Sequence, residues 1–118
     1  MPRHISLIFP GQGSQSIGML NSFSEGELDN VSKISKEVLN IDIIDRIKNG
    51  SEEDLNKTSI TQPALLIASY LYYKKFLDLF DITPNLLAGH SLGEYSALLA
   101  SNSIKIDDAF STLLDILK

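Results

Sequence analysis

The five residues Gly89-His90-Ser91-Leu92-Gly93 constrain this chain more than any other stretch. A short apolar run, Asn85-Leu86-Leu87-Ala88, precedes them, and a helical run from Glu94 to Ala100 follows. Strand, sharp turn and helix in that order, carrying G-x-S-x-G, form the pattern of a nucleophile elbow. The turn must lift its serine to the apex, with the hydroxyl clear of the sheet. Glycines at 89 and 93 keep β-carbons out of the place where strand and helix approach. Ser91 is therefore the candidate nucleophile. The amides that follow it open a helix and face any oxyanion that forms on a substrate, so the Leu92 N–H is a candidate donor. The motif alone also fits a plain glycine-rich turn. The strand before it and the helix after it favour the functional reading.

A chain of 118 residues with 43% apolar content is expected to form one domain with a core of its own. Its formal charge is −5, and it has no basic cluster longer than Lys74-Lys75, which argues against nucleic acid as a partner. Cysteine is absent, which excludes disulfides, thiolate chemistry and cysteine zinc sites. No apolar run approaches the roughly 20 residues of a membrane span. Met1-Pro2-Arg3-His4 leads straight into a strand-like run without the layout of a signal peptide. The expectation is a soluble, cytoplasmic protein without a membrane partner.

Read in order, Ile5 to Phe9 is a β-rich apolar run, expected to be a strand buried on both faces. Pro10 ends it, and Gly11-Gln12-Gly13-Ser14-Gln15 follows as a polar loop whose glycines let backbone approach a ligand. No Gly-Lys-Ser/Thr follows, so this is not a P-loop. Residues 16–23 read as a short helix. Ser24 and Glu27 have capping-box spacing, and Leu28, Val31, Ile34 and Val38 recur at helical spacing, with Asp29, Lys33, Lys36 and Glu37 on the solvent face. Asp42 caps a short helix closed by Asn49-Gly50, and Ser51 caps another. Glu52, Glu53 and Asp54 sit in its first turn, where the helix dipole favours acids, and this outweighs metal binding. Thr61 suits the cap and Pro63 the first turn of the strongest helix, Ala64 to Phe80, apolar around most of its girth and so central. Tyr70, Tyr72 and Tyr73 read as core packing and helix edge. After a break at Ser101-Asn102-Ser103, Asp107 caps a last helix with Ala109, Phe110 and Leu113 on one side.

Both expected strands end in chemically suggestive loops. If they lie parallel, their C-terminal ends meet, which is where ligands sit in open α/β sheets. Gln12 then lies beside Ser91, and its backbone N–H becomes the second candidate oxyanion donor.

Phe9-Pro10-Gly11-Gln12-Gly13-Ser14-Gln15, Thr61-Gln62-Pro63-Ala64 and Gly89-His90-Ser91-Leu92-Gly93-Glu94-Tyr95-Ser96-Ala97 together resemble the malonyl-CoA:acyl carrier protein transacylases. Leu55-Asn56-Lys57-Thr58 has the same familial look. The resemblance covers residues 1–118, as the N-terminal part of the large α/β subdomain of such an enzyme. It implies a partial α/β-hydrolase-like three-layer fold, helix-rich, with parallel strands, a nucleophile elbow and no small ferredoxin-like subdomain. It implies S-malonyl transfer from malonyl-CoA to acyl carrier protein in fatty acid biosynthesis, through an ester on Ser91. The amides of Gln12 and Leu92 would form the oxyanion hole. Gly11, Gly13, Gly89, His90 and Gly93 would support elbow and loop, and Gln62 would lie near substrate. No metal and no covalently bound cofactor is implied; malonyl-CoA is a substrate.

The resemblance also implies parts that these residues do not supply. The family's general base is a histidine far downstream, while this chain has only His4 and His90. His90 is expected to project away from the Ser91 hydroxyl toward packing. His4 lies at the wrong end of the first strand, roughly 16 Å from its C-terminal end at about 3.3 Å per residue. The arginine that would hold the malonyl carboxylate aligns with Ile116, and the only arginines are Arg3 and Arg46. The chain is thus expected to be weak or inactive alone, with the missing C-terminal portion a potential partner as a separate chain. Two other classes compete. A serine hydrolase or esterase shares the elbow but needs an Asp and His after the serine. A non-catalytic fragment would bind acyl carrier protein or a partner chain through an open strand edge.

Overall fold

The structure, a computed structural model, describes residues 5–116. Strand β1 (Ser6–Phe9) leads through a loop and a series of turns to α1 (Glu25–Leu39), α2 (Ile43–Asn49), α3 (Glu52–Leu55) and α4 (Thr58–Leu79). Strand β2 (Leu86–Gly89), α5 (Gly93–Ala100) and α6 (Ile106–Ile116) follow. This is a helix-rich α/β arrangement in which β1 and β2 pair in parallel, with Phe9 opposite Gly89. No described helix is long and apolar enough to cross a membrane.

Local chemistry sets the starts of α1, α2 and α3. The hydroxyls of Ser24 and Ser51 and the carboxylate of Asp42 accept from the amides of Glu27, Asp54 and Asp45. Each satisfies one of the orphan donors of a first helical turn. Asn40 ends α1 in a left-handed conformation, φ 59°. Between α1 and α2, the buried Ser35 hydroxyl donates to the Ser32 carbonyl at 2.8 Å and accepts from the Ile43 amide at 3.2 Å. That bond fixes the turn between two helices that pack together.

α4 is central, as its apolar girth implies, with Ile60, Pro63, Ala64, Leu65, Leu66, Ile67 and Leu71 all buried. It begins at Thr58, earlier than the expected Ala64. Thr61 does not cap it. Its buried hydroxyl instead donates back to the carbonyls of Leu55 and Lys57 and pins the end of α3 to the start of α4. With the Lys57 carbonyl also accepting from Ile60 and Thr61, a helical turn is already in place before Pro63. Pro63 therefore lies inside the helix.

Other expectations also change. Residues 16–23 form no helix but successive turns, with Met19, Asn21 and Phe23 amides donating to Ser16, Gly18 and Leu20 carbonyls. Gly18 weakens helix here, while Leu20 and Phe23 are pulled into the core. The Tyr72 hydroxyl donates to the Met19 carbonyl, and the Tyr72 ring meets Phe23 edge-on. α6 starts at Ile106, one position before the expected cap Asp107. β2 runs to Gly89 rather than ending at Ala88.

The largest correction concerns β1. It is not buried on both faces: Ile8 is 76% exposed and its neighbour across the ladder, Ala88, is exposed too. Leu7 and Phe9 turn inward, and α5 packs against both strands. The pleat sends alternate residues to opposite faces. Among the described residues helices cover only the face that carries Phe9 and Gly89.

Candidate functional site

The site grows from the ends of the two parallel strands. The His90 amide donates to the Phe9 carbonyl at 3.1 Å, extending the ladder one step past β2. The chain then reverses sharply. Ser91 adopts φ 56°, a left-handed conformation that costs a non-glycine residue on the order of 1–2 kcal/mol. Two short bonds hold it there: the Gly93 amide donates to the His90 carbonyl and the Glu94 amide to the Ser91 carbonyl, each at 3.0 Å. α5 begins at once.

The two flanking glycines are explained by close approach. A methyl on Gly89 would collide with the backbone of Gly93 and Glu94, and one on Gly93 with the Phe9 carbonyl. Strand, turn and helix can pack this tightly only without those β-carbons. Gly11 ties in the other loop. A methyl there would lie 2.8 Å from the His90 carbonyl oxygen and 3.6 Å from Cβ of Ser91. The loop after β1 and the turn after β2 are thus in contact, and Gln12 is the next residue. Gly13 takes φ 113°, open to glycine but strained for other residues.

Among the described residues, neither the Gln12 amide nor the Leu92 amide donates a hydrogen bond, whereas the Gly13 and Gly93 amides that follow them do. Ser91 is exposed, and no described side chain hydrogen-bonds its hydroxyl. The Gln12 side chain donates to the Thr58 hydroxyl at 3.2 Å. Gln15 accepts from the Gly13 amide at 2.8 Å and donates to Asn56 at 2.9 Å. These two partners lie in the stretch Leu55 to Thr58, whose familial look carried no role in the sequence. Only a contact across more than 40 residues gives them one.

Other candidates fall elsewhere. Gln62 sits half-buried in the first turns of α4, with no hydrogen bond to Ser91 or to the 11–15 loop. His90 is exposed rather than packed, because the turn lies at the uncovered strand ends; its Nδ1 is 3.6 Å from the methyl position on Gly11. Arg46 belongs to α2. Arg3 and His4 lie outside the described residues. Of Glu52, Glu53 and Asp54, the last pairs with Lys57 at 3.0 Å, and that hydrogen bond and charge hold its carboxyl below the ordinary value. An apolar groove of about 330 Å³ borders the loop at Pro10 and Ser14 but does not include Ser91. Leu7, Phe9, Leu65 and Phe76 line it, so it is an uncovered part of the core rather than a polar cleft.

A family described as acyl transferase domain matches residues 6–114. The malonyl CoA-acyl carrier protein transacylase of Haemophilus influenzae is 39% identical over 110 residues, 91% of this chain and 35% of that protein. A crystal structure of acyl-carrier-protein S-malonyltransferase from Burkholderia pseudomallei superposes with a TM-score of 0.84 at 38% identity. It covers 94% of this chain, and this chain covers 36% of it. A malonyl-transacylase solved in complex with its type II PKS acyl-carrier protein gives a TM-score of 0.82 at 38% identity, over 94% of this chain and 37% of that one. This chain spans about a third of the length of these relatives. With the family matched along nearly all of its length, the chain belongs to the acyl transferase domain family.

Proposed function

We propose that this chain is the N-terminal part of the large α/β subdomain of an acyl-carrier-protein S-malonyltransferase, with Ser91 as its nucleophile. The observation that carries the reading is the turn itself. A serine at φ 56° joins a strand to a helix, with a loop bearing a free amide pressed against it. The Ser91 oxygen attacks the thioester carbonyl of malonyl-CoA, and the oxygen of the tetrahedral intermediate takes hydrogen bonds from the amides of Gln12 and Leu92. The carbon–sulfur bond breaks, coenzyme A leaves as its thiol, and a malonyl ester remains on Ser91. The phosphopantetheine thiol of acyl carrier protein then attacks that ester and regenerates the serine. Gly11, Gly13, Gly89 and Gly93 shape the elbow and loop, and Gln62 lies near substrate. The setting is cytoplasmic fatty acid synthesis.

The portion of the fold beyond these residues supplies the base, the arginine for the carboxylate, the third layer and the small subdomain. It docks, on the same chain or a separate one, over the open face of β1 and β2, where Ile8 and Leu86 are 76% and 58% exposed. Without a base, the 118-residue chain takes up malonyl slowly and transfers it negligibly.

Mass measurement after incubation with malonyl-CoA tests this. One malonyl group is expected on the wild-type chain and none on Ser91→Ala. Labelling that survives the substitution refutes the assignment. Continuous release of malonate to water, with no ester retained, would instead favour a hydrolase.

A further inference from the structure

We infer that Asn56 and Thr58 are positioning residues for acyl transfer: acting through Gln15 and Gln12, they hold the 11–15 loop so that the Gln12 amide stays free beside Ser91. This rests on the reading of Gln12 as an oxyanion donor. The loop has little else to hold it. Among the described residues, no backbone–backbone hydrogen bond involves residues 11–15. Beyond the contact of Gly11 with the His90–Ser91 turn, its ties are the side-chain bonds of Gln12 and Gln15.

Those bonds distinguish the amides of two neighbouring residues. Gln15 bends back so that its Oε1 takes the Gly13 N–H at 2.8 Å, while its Nε2 donates to Asn56 Oδ1 at 2.9 Å. The neighbouring Gln12 N–H has no such partner, and the Gln12 side chain donates to Thr58 Oγ1, two residues along from Asn56. One of two adjacent amides is thus occupied and the other is left for a ligand.

The anchor is stiffer than the loop. Asn56 ends α3, where its own amide donates to the Glu52 carbonyl at 3.0 Å. Thr58 opens α4. The buried Thr61 hydroxyl binds the carbonyls of Leu55 and Lys57 and locks the two helices at this junction. A donor held from a packed helix keeps its place better than one on an untethered loop, and sub-ångström placement decides what an oxyanion donor contributes.

Two readouts on the 118-residue chain test the inference. The first is the rate at which Ser91 is acylated by malonyl-CoA. Thr58→Val and Asn56→Ala should each slow it about tenfold, less than the roughly 100-fold or more for outright loss of an oxyanion donor. Thr58→Ser and Asn56→Asp, which keep an acceptor oxygen, should stay within about twofold, and half-saturating malonyl-CoA should not change. The second is hydrogen exchange. In Thr58→Val and Asn56→Ala, the Gly13 amide, hydrogen-bonded within the loop to Gln15, should exchange faster while the amides of α4 keep their protection. Unchanged acylation, or unchanged exchange in the loop, overturns the inference. Acylation that persists in Ser91→Ala refutes the reading of Ser91 instead, and a wild-type chain that takes no acyl group removes the rate readout. The exchange result then stands alone, and a loop unmoved in both variants still overturns the clamp.

Discussion

Among the packed helices, Ile43, Ile47, Leu66, Ile67 and Phe110 have lost all contact with solvent, whereas Ile8 on β1 keeps 76% of its surface exposed. Leu86 on β2 and Leu79 and Phe80 at the end of α4 are also more than half exposed. The difference is one of partners, not of residue type, since both regions are rich in leucine and isoleucine. Helices α1, α2, α4 and α6 bury their apolar faces against one another. The strand pair has α5 on one face and, among the described residues, no cover on the other. The serine turn and the 11–15 loop lie where the two regions meet. One side of the candidate site is therefore held by a finished core, through Asn56 and Thr58. The other side is open, where the proposed chemistry would need its base.

Substitutions on either side test that contrast, and the largest effect belongs to the helical side. Phe110→Ala removes a fully buried ring and should cost about 3–5 kcal/mol, measured by urea unfolding. Such a loss is comparable to the whole stability of many small domains, so a chain that barely folds is the expected result. A cost near zero would mean that the helical core is not the stable part of the molecule.

Ile8→Ser is the counterpart. With its side chain in water, the change should stay within about 0.5 kcal/mol in the same urea experiment. If it costs as much as Phe110→Ala, the open face is covered in solution and the contrast between the two regions fails. If it costs little here but weakens assembly with a separately expressed C-terminal portion of a relative, the contrast is sharpened.

How much of this was legible beforehand follows the same division. The turn at Ser91 was readable because its glycines report contacts between nearby backbone segments, Gly89 against Gly93 and Glu94. The caps Ser24, Asp42 and Ser51 were readable because each acts on an amide three residues ahead. Distance in sequence defeated the rest. Residues 16–23 are shaped by Tyr72 and Lys75, which reach their carbonyls from 53 positions away. The start of α4 depends on Thr61 reaching back to α3, so Pro63 misled as a boundary signal. Strand burial was not legible because an apolar run records what a strand can be covered by, not which cover is present.

The smallest expected effect is electrostatic and lies in the helical region. Burial raises the Asp42 carboxyl, but the Ser32 hydroxyl, the Asp45 amide and Lys36, at 3.5 Å, outweigh it and hold the group below its ordinary 3.8. A carboxyl lowered on folding adds stability that is present above its unfolded value and lost as pH falls through the folded one. Asparagine caps a helix about as well as aspartate, so Asp42→Asn isolates the charge. The variant should be weaker by a few tenths of a kcal/mol at neutral pH, as for a partly screened pair, with the gap closing as pH falls below the ordinary 3.8 and through the lowered folded value. Paired urea midpoints at neutral and acid pH read this out. The bonds that join β1 to β2 are amide to amide, through the backbone ladder and from the Ile5 amide to the Asn85 side chain. Acid should therefore loosen α1 and α2 before it touches the strand pair. Exchange that rises first in the strands would place the carboxylate-dependent stability on the wrong side of the molecule.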